Sequence, residues 1–219
     1  MLTESVNDIN TALDTMRRLG LSDQASTLIN QAGETAAATY SRLDADQTHS
    51  DSWKLGAYAD AYINTMSGLA RTLTTAAAIG GKEDQADAAR VFGIKGLPGD
   101  VASLTISRRD AGDRIADISD STQMQRLLDQ AVRNGDDVLA HAIVEKAITT
   151  GTGDSAVTES FMSAYPDLSD AVQRLWTAQH HSLNSLDITT AWQVAALKPA
   201  ALKSRLDYEI QTIAAGQRQ

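Results

Sequence analysis

The sequence predicts an all-α protein: an irregular bundle of about eight to ten helices, with no sheet. Three observations carry this expectation. Apolar residues recur at steps of three and four along most of the chain. No run shows the strict alternation or β-branched density of a strand. Glycine, proline and Asn-Gly punctuate the pattern often enough to make most of the helices short.

Taken in order, residues 2–19 place Leu2, Val6, Ile9, Leu13, Met16 and Leu19 on one stripe, close to a heptad repeat but too short to demand a coiled coil. Gly20 interrupts it, and Ser22 or Asp23 offers a fresh cap. A second helix follows through Leu28, Ala32, Ala36, Tyr40 and Leu43, and the polar run 44–52 reads as a loop. Ser50, Asp51 or Ser52 starts a third helix, whose face includes Trp53, Ala57, Tyr58, Ala61, Tyr62, Met66, Leu69 and Leu73. Gly80-Gly81 is expected to end it, leaving a weak helix over 82–92.

The segment GIKGLPGD, residues 93–100, is the strongest break, with three glycines and a proline in eight residues. It reads as an ordered turn or hinge between an N-terminal helical region, 1–92, and a C-terminal one, 101–219. Asp100 caps a helix to about Ile118, with Val101, Leu104, Ala111, Ile115 and Ile118 apolar. Its other face pairs Arg109 with Asp113 and Asp110 with Arg114, four residues apart.

Residues 121–176 form the most sharply signalled part, a compact helical module. Ser121 is the expected cap of its first helix, and Met124, Leu127, Leu128, Ala131 and Val132 make one face. Asn134-Gly135 stops that helix, since glycine accepts the left-handed conformation without a Cβ penalty. Asp136 or Asp137 caps the next, with a face of Val138, Leu139, Ala142, Ile143, Ala147 and Ile148. Gly151-Thr152-Gly153-Asp154 supplies stop, turn and cap for a third helix through Val157, Phe161 and Met162. Pro166 opens a fourth, with Leu168, Val172, Leu175 and Trp176. Helices this short must bury their stripes against one another.

Beyond Trp176 the pattern loosens. Asp187 caps a helix through Ile188, Trp192, Ala195 and Ala196, and Lys198-Pro199 breaks it. A last helix carries Leu202, Leu206, Ile210 and Ile213 as one apolar stripe, the candidate interface of the chain. Docking on its own core is the more ordinary outcome for such a stripe; docking on a neighbouring subunit is the functional reading, suggested by its terminal, separable, narrow-faced character.

Composition narrows the function classes. The net charge of -9 disfavours phosphate backbones, and no basic patch offsets it, so no nucleic-acid partner is predicted. The absence of cysteine excludes disulfides, thiolate catalysis and Cys-ligated zinc. No apolar run reaches the length of a membrane span, and the first residues lack a signal-peptide pattern, so a cytoplasmic product is expected.

Four features invite chemistry, and each has a structural explanation. Asp110, Asp113, Asp117 and Asp120 share a helix face, suited to a cation or to paired carboxylates. Arginine partners and the lack of a calcium-binding loop make it a solvated face. His180-His181 point about 100° apart on a helix and share an ion poorly, while His49 stands alone and His141 reads as a partly buried structural histidine. The glycines at 93–100 and 151–153 lack the lysine and hydroxyl of a phosphate loop. Trp176 and Trp192 read as core anchors rather than ligand platforms. No GxSxG or SxxK arrangement is present. The expectation is a non-enzyme with no cofactor and no metal.

The stretch RRDAGDRIADISDSTQMQRLLDQAVRNGDDVLAHAIVEKAI, followed by a short helix and SAYPD, resembles small helical proteins from the virion structural gene block of actinobacterial tailed phages. The resemblance covers about residues 108–168, a quarter of the chain, and rests on helix and turn signals. It implies a virion structural or assembly role, head-associated or at the head–tail junction. The implied partners are other subunits, through self-association or contact with a capsid or portal protein. The implied location is the virion, or the host cytoplasm during assembly. The alternative is a bacterial cytoplasmic helical adaptor or regulatory module that binds another protein.

Overall fold

A computed structural model describes residues 2–150, 155–180 and 186–217. Among these, ten α-helices account for most of the chain and no strand occurs, as the periodicity predicts. They are α1 (Leu2–Arg18), α2 (Ser22–Ala45), α3 (Asp51–Val91), α4 (Val101–Ile115) and α5 (Ser121–Asn134). The chain continues with α6 (Asp137–Thr150), α7 (Ser155–Ala164), α8 (Ser169–His180), α9 (Leu186–Ala196) and α10 (Asp207–Gln217). Short 3-10 turns at Pro166–Leu168 and Ala200–Leu202 precede α8 and α10.

The chain forms two compact units, one of residues 1–80 with 182–219 and one of residues 81–181. The sequence placed the division at 93–100, which falls inside the second unit. Two findings explain the difference. Gly80-Gly81 does not end the third helix: α3 runs unbroken from Asp51 to Val91, through both glycines. The C-terminal segment also returns to the N-terminal helices, a long-range pairing that no local signal announces.

In the first unit the stripe of α1 buries Leu2, Ile9 and Met16, with Val6 and Leu13 packed at its edges. They meet Ala25 and Ile29 of α2 and a broad face of α3 that includes Tyr62, Ile63, Met66, Leu69 and Leu73. Gly20, at φ 70°, turns the chain from α1 into α2. Leu21 N–H donates to Met16 O at 2.8 Å and Gly20 N–H to Arg17 O at 3.0 Å, the paired bonds of a left-handed C-cap. The expected cap at Ser22 or Asp23 is not formed: Leu21 takes the capping position without a side-chain bond, and Ser22 is buried as the first residue of α2.

In the second unit α6 is the central element. Nine of its residues are buried, Val138 through Val144 consecutively, because α4, α5, α7 and α8 all pack on it. One apolar face was expected; a short helix surrounded by others is apolar all round. Asp120, one residue earlier than expected, caps α5 by accepting from Gln123 N–H at 3.0 Å. Gly135 at φ 68° closes that helix, and Asp136 caps α6 by accepting from Leu139 N–H at 3.1 Å. Asp100 caps α4 as predicted, accepting from Ala102 and Ser103 N–H at 3.1 and 3.0 Å. Lys146 of α6 donates to Ala116 O at 2.6 Å, satisfying a carbonyl at the end of α4.

Candidate functional site

Several of the residues singled out for chemistry serve the fold. Of the aspartate face, Asp120 is a helix cap. Arg114, expected to pair with Asp110, instead reaches Asp136 at 3.6 Å, and Arg108 pairs with Glu145, so these two arginines of α4 serve contacts outside their own helix. Among the described residues no group of three or more His, Asp and Glu side chains could hold a metal ion. His141 is 5% exposed, and its Nδ1 donates to Val91 O at 2.7 Å, a structural role as expected. His49 stacks on Trp53 at 3.8 Å and bonds Asp46 at 2.6 Å. His180 stacks on Trp176 at 3.6 Å, its Nδ1 against the Trp176 carbonyl at 2.9 Å. His181 and the segment 151–154, with the expected cap Asp154, lie outside the described residues.

The tryptophans divide. Trp176 packs at the edge of the second core, as predicted. Trp192 is 73% exposed on α9, so it is not a core anchor. Asp187 falls within α9, which begins at Leu186, rather than ahead of it.

The C-terminal stripe also divides. Leu202 lies in a 3-10 turn and α10 starts only at Asp207, so the four residues do not share one helix. Leu202 and Ile210 are fully buried in the first core, and Ile213 packs against it; Leu206 stays 60% exposed. Three of the four candidate interface residues therefore dock on their own chain. The break comes from Lys198-Pro199 and the turn that follows. There Lys198 Nζ donates to Arg205 O at 2.6 Å, and Leu206 N–H donates to Glu209 at 2.7 Å.

One concave surface in the first unit remains without a structural explanation. It is an open groove between α2 and α3 with a cavity volume of about 770 Å³. Leu28, Ala32, Thr35, Thr39 and Leu43 of α2 form one wall, at helical spacing. Ala57, Ala61, Thr65, Gly68 and Thr72 of α3 form the other, with Leu69 at its base. Each wall spans fifteen residue steps, about 22 Å at ~1.5 Å per residue.

The electrostatics of the groove are plain. Asp60 is its one charged lining residue, and Gln31 and Asn64 contribute its amides. Its four threonines turn their hydroxyl protons inward. Thr35 donates to Gln31 O at 3.0 Å, Thr39 to Thr35 O at 3.1 Å, Thr65 to Ala61 O at 2.9 Å and Thr72 to Gly68 O at 3.0 Å. With those donors engaged, the surface presented outward is more apolar than its composition suggests. The apolar share of the lining and its helical spacing suit the packing of another apolar surface.

The sequence pattern puts Ala57 and Ala61 on the apolar face of α3, and Leu28, Ala32, Ala36, Tyr40 and Leu43 on that of α2. In the structure Ala36 of that stripe is buried as expected, whereas Leu28, Ala32, Leu43, Ala57 and Ala61 are only half buried, because α2 also turns Ala25 and Ile29 inward. No protein family model, characterised protein or solved structure matches the chain.

Proposed function

We propose that this chain is a structural or assembly protein of a tailed-phage particle, head-associated or at the head–tail junction, that works through protein–protein contacts. The α2–α3 groove is the surface assigned to that contact, receiving the apolar stripe of a helix from a neighbouring protein. The observation that supports the reading is the groove: long, small-residue walled and nearly uncharged, with its threonine donors engaged internally. The segment resembling virion proteins lies in the second unit, and the groove lies in the first. No helix among the described residues is long and apolar enough to cross a membrane.

The test has two parts. Mass spectrometry of purified particles should detect the chain. The double variant Ala32→Glu, Ala61→Glu, which places two charges in the groove, should keep its helical circular dichroism and be lost from particles. Absence of the wild-type chain from particles, with recovery in a small complex with a host protein, sinks the virion reading in favour of a bacterial adaptor. Full incorporation of the double variant sinks the groove assignment.

A further inference from the structure

We propose that His141 is an acid-sensitive latch: its neutral imidazole fastens the last turn of α3 to the helices of the second unit, and proton uptake releases it. The geometry sets up the device. His141 sits in the second turn of α6, 5% exposed, and bonds the carbonyl of Val91, the final residue of α3 and itself fully buried. A carbonyl only accepts, so Nδ1 carries the proton and Nε2 is the bare nitrogen of the neutral ring. Phe161 and Tyr165 pack edge-on against the imidazole, centroids at 5.3 and 5.5 Å.

Protonation leaves the Val91 bond in place but adds a unit charge and a second N–H to a site walled by aromatic rings. Burying that charge is what disfavours the closed arrangement. The surrounding charges do not offset it. Asp137 of α6 is nearest in sequence, and its Oδ1 already accepts from Tyr165 at 2.7 Å. From α4, Arg108 opposes a second cation, and it is held by Glu145 of α6. At the end of α3, Asp87 is taken by Arg174 of α8 at 2.7 and 3.0 Å, and Arg90 donates to Asp167 O at 3.2 Å. From α5 the buried residues are Met124, Leu128 and Ala131, which carry no charge. Burial therefore holds the imidazole below its ordinary value of 6.5, Arg108 adds to this, and the Val91 bond and Asp137 pull partly back.

The sign follows from linkage. The released form takes up protons near 6.5 and the latched form only below that, so latching is complete above 6.5 and weakens as pH falls through and beneath it. Amide hydrogen exchange on the full chain reads this at Phe92, whose N–H donates to Ala88 O at 2.8 Å in the last turn of α3. After correction for intrinsic rates, protection of Phe92 should fall by up to about tenfold between about pH 7.5 and about pH 5.5. In His141→Asn, which keeps an amide donor for Val91 but does not titrate, protection should be the same at both. A flat wild-type profile overturns the latch, as does an equal fall in the variant. Should the variant not fold, ring-proton NMR of wild-type His141 decides. A ring titration midpoint below 6.5, with Phe92 protection falling between 6.5 and that midpoint, supports the latch; a midpoint at or above 6.5, or protection that is constant over that interval, overturns it.

Discussion

Asp87 and Arg174 form a two-pronged ion pair in which the partners are unequally buried. The Asp87 side chain is 8% exposed and that of Arg174 is 58% exposed. Removing the arginine strands a carboxylate in the protein; removing the aspartate returns a guanidinium to water. Arg174→Ala should therefore cost about 3 kcal/mol, and Asp87→Ala about half of that. Urea unfolding of the two variants measures the difference, and an equal or reversed order would show that burial does not govern the pair. The sequence offered no hint of this contact, since the residues lie 87 positions apart. Local pairings were more legible. The left-handed glycine at 135 and the caps at Asp100 and Asp136 were readable because capping involves neighbours within three residues. Asp120 displaced Ser121 as the cap of α5 for the same local reason, a single residue of register.

At the scale of elements, the two glycines in α3 show how propensity gives way to packing. A methyl at Gly80 would run into the Leu21 side chain, with Leu19 also in contact, whereas nothing lies within 4 Å of one at Gly81. Gly80 thus permits the close approach of the α1–α2 turn, and the burial around it carries the helix through a pair that would otherwise break it. Gly81→Ala should raise the stability of the chain by about 0.5–1 kcal/mol, the helix propensity gain alone. Gly80→Ala should lower it by about 1–2 kcal/mol as Leu21 is displaced. Thermal melts of both variants provide the check; stabilisation by both would mean that the Leu21 contact is slack. The same competition explains the C-terminal stripe. Leu202, Leu206, Ile210 and Ile213 have helical spacing, but Lys198-Pro199 and the following 3-10 turn rotate Leu202 and Ile210 into the core and leave Leu206 outside.

For the molecule as a whole, the return of the C-terminal segment makes the first unit dependent on residues at both ends of the chain. Leu202 and Ile210 are fully buried there, each contributing about 1.5–3 kcal/mol by burial. Truncation after Pro199 should abolish the cooperative thermal transition of the first unit. The transition of residues 81–181, which contain none of the deleted segment, should remain. A truncated chain that still melts in two steps would show the segment to be dispensable and would restore it as a candidate for contact with another subunit. The all-α class, most helix boundaries, the turn at 93–100 and the structural role of His141 followed from the sequence alone, because 3.6-residue periodicity, capping and turn chemistry are settled among near neighbours. The division into units, the central burial of α6, the exposure of Trp192 and the α2–α3 groove were decided by the tertiary structure. An amphipathic stripe states that a helix has a face to cover; it does not state which distant helix covers it, nor which part of it stays open.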